Sequence, residues 1–296
     1  MFMNKLFYIL ITSIALLGCT NSNKSNDGKP TITVTLEPLR YFTSAIAGDK
    51  FDVVSMVPNG SSPETYDPTP QQLVNLSKSV AYFRIGYIGF EQIWMNKLEE
   101  NNPNLAIFDT SKGVELIVGE ESCNHHGHDE HGHSHEGGVD PHIWNSTINA
   151  SIISHNIYDA LCQLSPKDKD YFAQKLDSMN IVFKNLDVEI KGILADADTT
   201  FLIYHPALSY YAKEFGLKQI SIEKDGKQPT PTSLKKLIDD SKAEKPHVIF
   251  VQKEFDTRNA ELISNELNLQ IVTINPLSFN WQEEMLEPAK ALKRYE

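Results

Sequence analysis

Six of the ten histidines in this 296-residue chain, His125, His126, His128, His131, His133 and His135, fall between Ser122 and Gly138, in the run SCNHHGHDEHGHSHEGG. Neutral imidazole is available near pH 7 and binds zinc, copper or nickel, so such a tract is a metal ligand. With no aliphatic residue to fold on, it is expected to stay soft, binding in several arrangements and weakly. Three better-placed residues point to a defined site. Asp140-Pro141-His142-Ile143-Trp144 follows the tract and leads into a helical stretch that Asn145 or Ser146 can cap. His205, in Tyr204-His205-Pro206-Ala207, stands just past a strand and just before a helix with Pro at its start and Gly216 at its end. Glu64 lies in a Pro-rich turn ahead of Thr69-Pro70-Gln71-Gln72, which has the pattern of a capping box. Imidazole and carboxylate both bind zinc at about 2.0 to 2.2 Å, so Glu64, His142 and His205 make a three-ligand set. Asn275, in Ile274-Asn275-Pro276, follows the last strand and is a fourth candidate. His155 and His247 read as ordinary structural histidines.

The elements around these residues are β/α units. Short β-rich runs occur at Thr31 to Leu36, Asp52 to Val57, Val80 to Ile85 and Ala106 to Asp109, and a second set at Thr199 to Tyr204, Gln219 to Ile222, Val248 to Val251 and Gln270 to Ile274. Intervening segments are long enough for crossover helices, which predicts an α/β protein of two lobes, each with a four-stranded parallel sheet and flanking helices. In open sheets of this kind ligands bind outside the carboxyl ends of the strands, where His205 and Glu64 fall. Between the two sets, Phe172, Leu176, Met179, Phe183, Leu186, Ile190 and Ile193 recur at steps of four and three. One continuous helix over Asp168 to Asp196 would be roughly 43 Å long and would brace both halves.

Zinc hydrolases also use two histidines and a glutamate, with water as the fourth ligand. No His-Glu-x-x-His run occurs here, and the three candidates fall on loops of two different lobes. Ligands drawn from both lobes suit capture and release, so no enzymatic activity is expected. A passive buffer relying on the tract alone would leave the ordered motifs idle.

The N-terminus has a single positive charge at Lys5, a short apolar run from Leu6 to Leu17, and Leu16-Leu17-Gly18-Cys19, which resembles a bacterial lipoprotein signal. Lipidation at Cys19 would anchor the protein to a membrane at the periplasmic or outer cell surface. Thr20 to Lys29 reads as a flexible tether. A net charge of −12 argues against a nucleic-acid partner. Cys123 and Cys162 could pair in an oxidising compartment. The expected organisation is a signal at 1–18, a tether at 19–29, an N-terminal lobe at 30–165 carrying the His-rich loop 122–138, a linking helix at 166–196, and a C-terminal lobe at 197–296.

Asp-Pro-His-x-Trp at His142, the histidine before proline at His205, Ser62-Pro63-Glu64-Thr65-Tyr66 and the His-rich loop together resemble the metal-binding proteins of ABC importers, including the zinc-uptake type, over nearly the whole chain after the signal. The resemblance implies two α/β lobes joined by one long helix, and one metal ligand from each of four motifs. It implies zinc as cargo, with manganese or ferrous iron as the alternative, an ABC permease in the membrane as partner, and a monomer. Two positions depart from the family pattern, which usually has His where this chain has Glu64 and often Asp where it has Asn275. That leaves the fourth ligand among the Asn275 side-chain oxygen, a water, and a nearby carboxylate such as Asp67. The tract is then expected to gather metal without being the transport site.

Overall fold

The computed structural model describes residues 28–118, 138–223, 229–255 and 257–293. The first lobe is built from β1 (Thr31–Val34), α1 (Glu37–Ala47), β2 (Asp52–Ser55), α2 (Pro70–Leu76), β3 (Ala81–Arg84), α3 (Gly89–Asn101), β4 (Ala106–Asp109) and α4 (Thr147–Leu164). The second comprises β5 (Thr200–Ile203), α6 (Ser209–Phe215), β6 (Lys218–Ser221), α7 (Pro231–Glu244), β7 (Val248–Gln252), α8 (Arg258–Leu267), β8 (Gln270–Ile274) and α9 (Trp281–Leu292). The two sheets repeat one topology, β2-β1-β3-β4 and β6-β5-β7-β8, with every pairing parallel. In each, the chain winds first to one side of the opening strand and then to the other. The switch points fall between β1 and β3 and between β5 and β7, so loops at those carboxyl ends are free to form a cleft.

Between the lobes, a 3-10 turn at Pro166–Asp168 runs into α5 (Lys169–Leu194). At 26 residues α5 is about 39 Å long. The helix expected over Asp168 to Asp196 is thus present as Lys169–Leu194, and the turn ahead of it is wound 3-10, with Ser165 Oγ donating to Asp168 Oδ2. Phe172, Leu176, Met179, Phe183, Leu186 and Ile190 are buried, as the periodicity required, while Ile193 is only half-buried.

One hydrophobic core runs from the first sheet through α5 into the second lobe. Phe42 of α1, Phe183 of α5 and Trp281 of α9 meet edge-to-face, with centroids 5.0 to 5.8 Å apart. Aromatic pairs in this geometry add roughly 0.5–1.5 kcal/mol each beyond their area. The far face of the second sheet has a smaller separate cluster around Leu202, Ile249 and Ile263. None of the described helices is long and apolar enough to cross a membrane.

Candidate metal centre

His142 is set by the loop that precedes α4. Asp140 Oδ1 accepts from both the His142 backbone N–H (2.9 Å) and Nδ1 (2.8 Å). The loop is seated in turn by Tyr210 of α6, whose hydroxyl donates to Asp140 O at 2.8 Å and accepts from Ile117 N at 3.0 Å. Beyond it Ile143 and Trp144 are buried, and Ser146 caps α4 by accepting from Asn149 N. Burial pushes the Asp140 carboxyl up, but the hydrogen bond and charge of His142 outweigh it and leave the acid below its ordinary value. An ionised Asp140 can only accept, so His142 Nδ1 carries a proton and Nε2 is the nitrogen directed into the cleft.

His205 comes two residues after β5. Gln252, at the end of β7, holds its backbone from both sides, donating Nε2 to His205 O (2.6 Å) and accepting from His205 N (3.4 Å). Glu223 Oε2 lies 2.9 Å from His205 Nδ1, and Phe255 stacks on the ring with centroids 5.1 Å apart and planes inclined by 14°. Burial, and then the facing His142, pull the His205 imidazole down to about 3, so it is neutral at physiological pH. A carboxylate behind each ring nitrogen fixes tautomer and orientation, the usual support for metal-ligating histidines.

The two Nε2 atoms face each other across the lobes at 3.3 Å. Two nitrogens bound at about 2.0–2.1 Å in a tetrahedral zinc site stand roughly 3.3 Å apart, so the pair already has the spacing of two ligands on one ion. Without an ion one ring can donate to the other across this gap, and an ion that displaces that proton would meet both nitrogens.

Glu64 lines the same small cleft, with room of about 30 Å³, together with His142, Trp144, His205, Glu254 and Leu277. Its Oε2 accepts from Gly89 N at the start of α3 (3.2 Å). A Cβ on Gly89 would lie 2.6 Å from Glu64 O and 2.9 Å from Oε2, so the approach requires glycine. The capping box expected at Thr69 and Gln72 is formed, and Gln72 also reaches Met56 O (2.7 Å) and Tyr66 OH (2.7 Å), pinning the turn that carries Glu64.

Asn275 is buried and its N–H donates to Glu284, but it is not among the residues lining the cleft, whereas its neighbours Pro276 and Leu277 are. Asp67 is exposed and accepts from Trp94 Nε1 (3.1 Å). His155 bonds the backbone of its own helix and His247 pairs with Asp198, in keeping with structural roles. The His-rich tract, Cys19 and Cys123 lie outside the described residues, and with Cys123 any pairing to Cys162 does too. Among the described residues no three His, Cys, Asp or Glu side chains stand at closed coordination geometry, so the imidazole pair is the formed part of the site. Gln252, Glu223, Glu254 and Phe255 escaped sequence reasoning. Glu223 and Glu254 each follow a strand end of the second lobe, so the rule that selected His205 would also have selected them.

A cleft between twin four-stranded lobes, with one carboxylate-backed imidazole from each, defines a metal-binding solute-binding protein. Residues 32–294 match the family described as the zinc-uptake complex component A, periplasmic, and the chain belongs to that family, the metal-binding solute-binding proteins of ABC importers. It is 29% identical over 272 residues to the iron ABC transporter substrate-binding lipoprotein MtsA of Streptococcus pyogenes, covering 86% of this chain and 83% of that one. It is 28% identical to the manganese ABC transporter substrate-binding lipoprotein PsaA of Streptococcus mitis, covering 90% and 86%. A crystal structure of a ZnuA deletion mutant with zinc bound superposes with a TM-score of 0.81 at 30% identity, covering 91% of this chain and all of that one.

Proposed function

We propose that this protein captures a divalent transition-metal ion between its lobes, on His142, His205 and Glu64, and passes it to the permease of an ABC importer while anchored through a lipid on Cys19. The observation that carries the reading is the 3.3 Å separation of the two Nε2 atoms, each imidazole being oriented by a carboxylate on Nδ1. Leu16-Leu17-Gly18-Cys19 and the lipoprotein names of MtsA and PsaA support the anchor.

Zinc suits two imidazoles and a carboxylate, and the zinc-bound relative supports it. A second reading, manganese or ferrous iron, is favoured by the carboxylates that line the cleft, Glu64 and Glu254, since oxygen ligands suit these ions. The relatives named for iron and for manganese support it as well. Affinity alone ranks zinc above iron and iron above manganese at most sites, so cargo is decided by how far the ligand set narrows that order. Competition titration of the body lacking residues 1–19, with metal analysis of the protein as purified, separates the readings. A zinc transporter binds zinc several orders tighter than manganese; a manganese or iron transporter narrows the gap and is isolated with those ions. The His-rich tract then serves to concentrate metal beside Asp140, and deleting Asn124 to Glu136 is expected to remove weak equivalents and keep one tight one.

A further inference from the structure

Glu254 lies in the turn that follows β7, at the carboxyl edge beside the switch point where β5 delivers His205. Its side chain lines the cleft with Glu64, His142 and His205. Both flanks of this turn are tied to the imidazole ligand: Gln252 hydrogen-bonds the His205 backbone in two directions, and Phe255 stacks on the His205 ring. The turn is closed by Phe255 N donating to Gln252 O at 3.2 Å. Glu254 Oε1 is buried, with no hydrogen-bond partner among the described residues. A buried carboxylate oxygen without a partner is costly, and the cost disappears if a cation meets it.

Resting on the reading of the cleft as a metal site, we propose that Glu254 supplies an anionic oxygen ligand to the ion held by His142 and His205. Asn275, just past the neighbouring strand β8, also has a buried side-chain oxygen without a hydrogen-bond partner, but its amide is neutral and cannot provide this charge. With Glu254, each lobe contributes one imidazole and one carboxylate: His142 and Glu64 from the first, His205 and Glu254 from the second. Two carboxylates beside two imidazoles would match the charge of a divalent ion among its direct ligands, with Asp140 and Glu223 one shell further out.

The test compares Glu254→Gln, Asn275→Ala and His205→Ala with the parent, using competition titration with zinc and with manganese and the visible absorption of the cobalt(II) form. Glu254→Gln keeps the shape of the side chain, and a thermal melt without metal confirms folding. It is expected to lose at least tenfold in affinity for both ions and to change the cobalt(II) band, whereas Asn275→Ala stays within about twofold. An unchanged affinity and an unchanged cobalt band in Glu254→Gln, with His205→Ala still losing tight binding, would overturn the Glu254 assignment and leave the metal site standing. If His205→Ala also binds as tightly as the parent, the site itself is wrong. Should Glu254→Gln fail to fold, Glu254→Asp, which retains the charge on a shorter arm, is expected to fold and to bind more weakly with an altered cobalt band, and parental binding and band in that variant would contradict the proposal.

Discussion

At the scale of residues, Asp140 and Glu223 orient the two rings, since each lies against an Nδ1 and so turns the Nε2 of its ring into the cleft, and in the proposed site they would act on the metal through those rings. Removing such a partner costs about 10–100-fold in metal affinity, and Asp140→Ala is expected to fall in that range by competition titration with zinc, while the protein still folds. Acid acts through His205. Its imidazole falls from 6.5 to about 3 on folding, so between those pH values the unfolded chain binds a proton the folded, metal-free chain does not. That contribution to stability is complete above about 6.5 and is lost as pH falls toward 3. Metal-free His205→Gln should therefore show a shallower loss of stability between pH 6.5 and 4 in denaturant titrations than the parent. His142, His205 and Glu64 were legible in the sequence because each sits beside a proline at the edge of a predicted element. Glu223 and Glu254 share the strand-end position of His205 but have no proline or motif beside them to single them out, and Gln252 lies within its strand.

At the scale of elements, the loop between β3 and α3 is what delivers the Gly89 N–H to Glu64. The carboxylate of Glu91, fully buried, gathers Ile85 N (2.9 Å), Gly86 N (2.5 Å) and the Thr35 hydroxyl, and so fixes the loop in place. Burial raises the Glu91 carboxyl against the pull of those donors. Gly89→Ala places a methyl group against Glu64 backbone and side chain, and something must move. The variant is expected to lose about 1–3 kcal/mol of stability, the range for overpacking a tight site, and to bind metal more weakly through displacement of Glu64. Chemical denaturation and zinc titration of the same sample check both parts. The strands and the long helix were plain in the sequence, since runs of four or five β-formers and a stripe of seven apolar residues are strong periodic signals. The 3-10 start of the linker was not, because Pro166 marks a helix beginning without specifying how its first turn is wound.

At the scale of the whole molecule, the lobes are joined by more than α5. Trp144 Nε1 donates to Pro276 O (2.7 Å), Trp281 Nε1 donates to Trp144 O (2.8 Å), and Asn145 Nδ2 donates to Ala207 O (2.8 Å), all buried and all crossing between the lobes. Thr147 at the start of α4 pairs with Glu214 of α6, and the principal core is continuous across the junction. A wide hinge would break these bonds and expose core aromatics, so metal release calls for local movement of the cleft loops. Small-angle scattering with and without metal should give radii of gyration that agree to within about 1 Å for a chain of this size; a change of several ångströms would contradict a shared core. None of these cross-lobe contacts was legible beforehand, since the pairing of Trp144 with Pro276 depends on how two separately folded sheets are set against each other. The central claim is that one imidazole from each lobe binds the same ion. X-ray absorption at the zinc edge, on protein loaded with one equivalent, counts those imidazoles directly. It should find two nitrogens of imidazole type at about 2.0–2.1 Å in the parent and one in His205→Ala; an imidazole count that is unchanged in that variant would contradict the account.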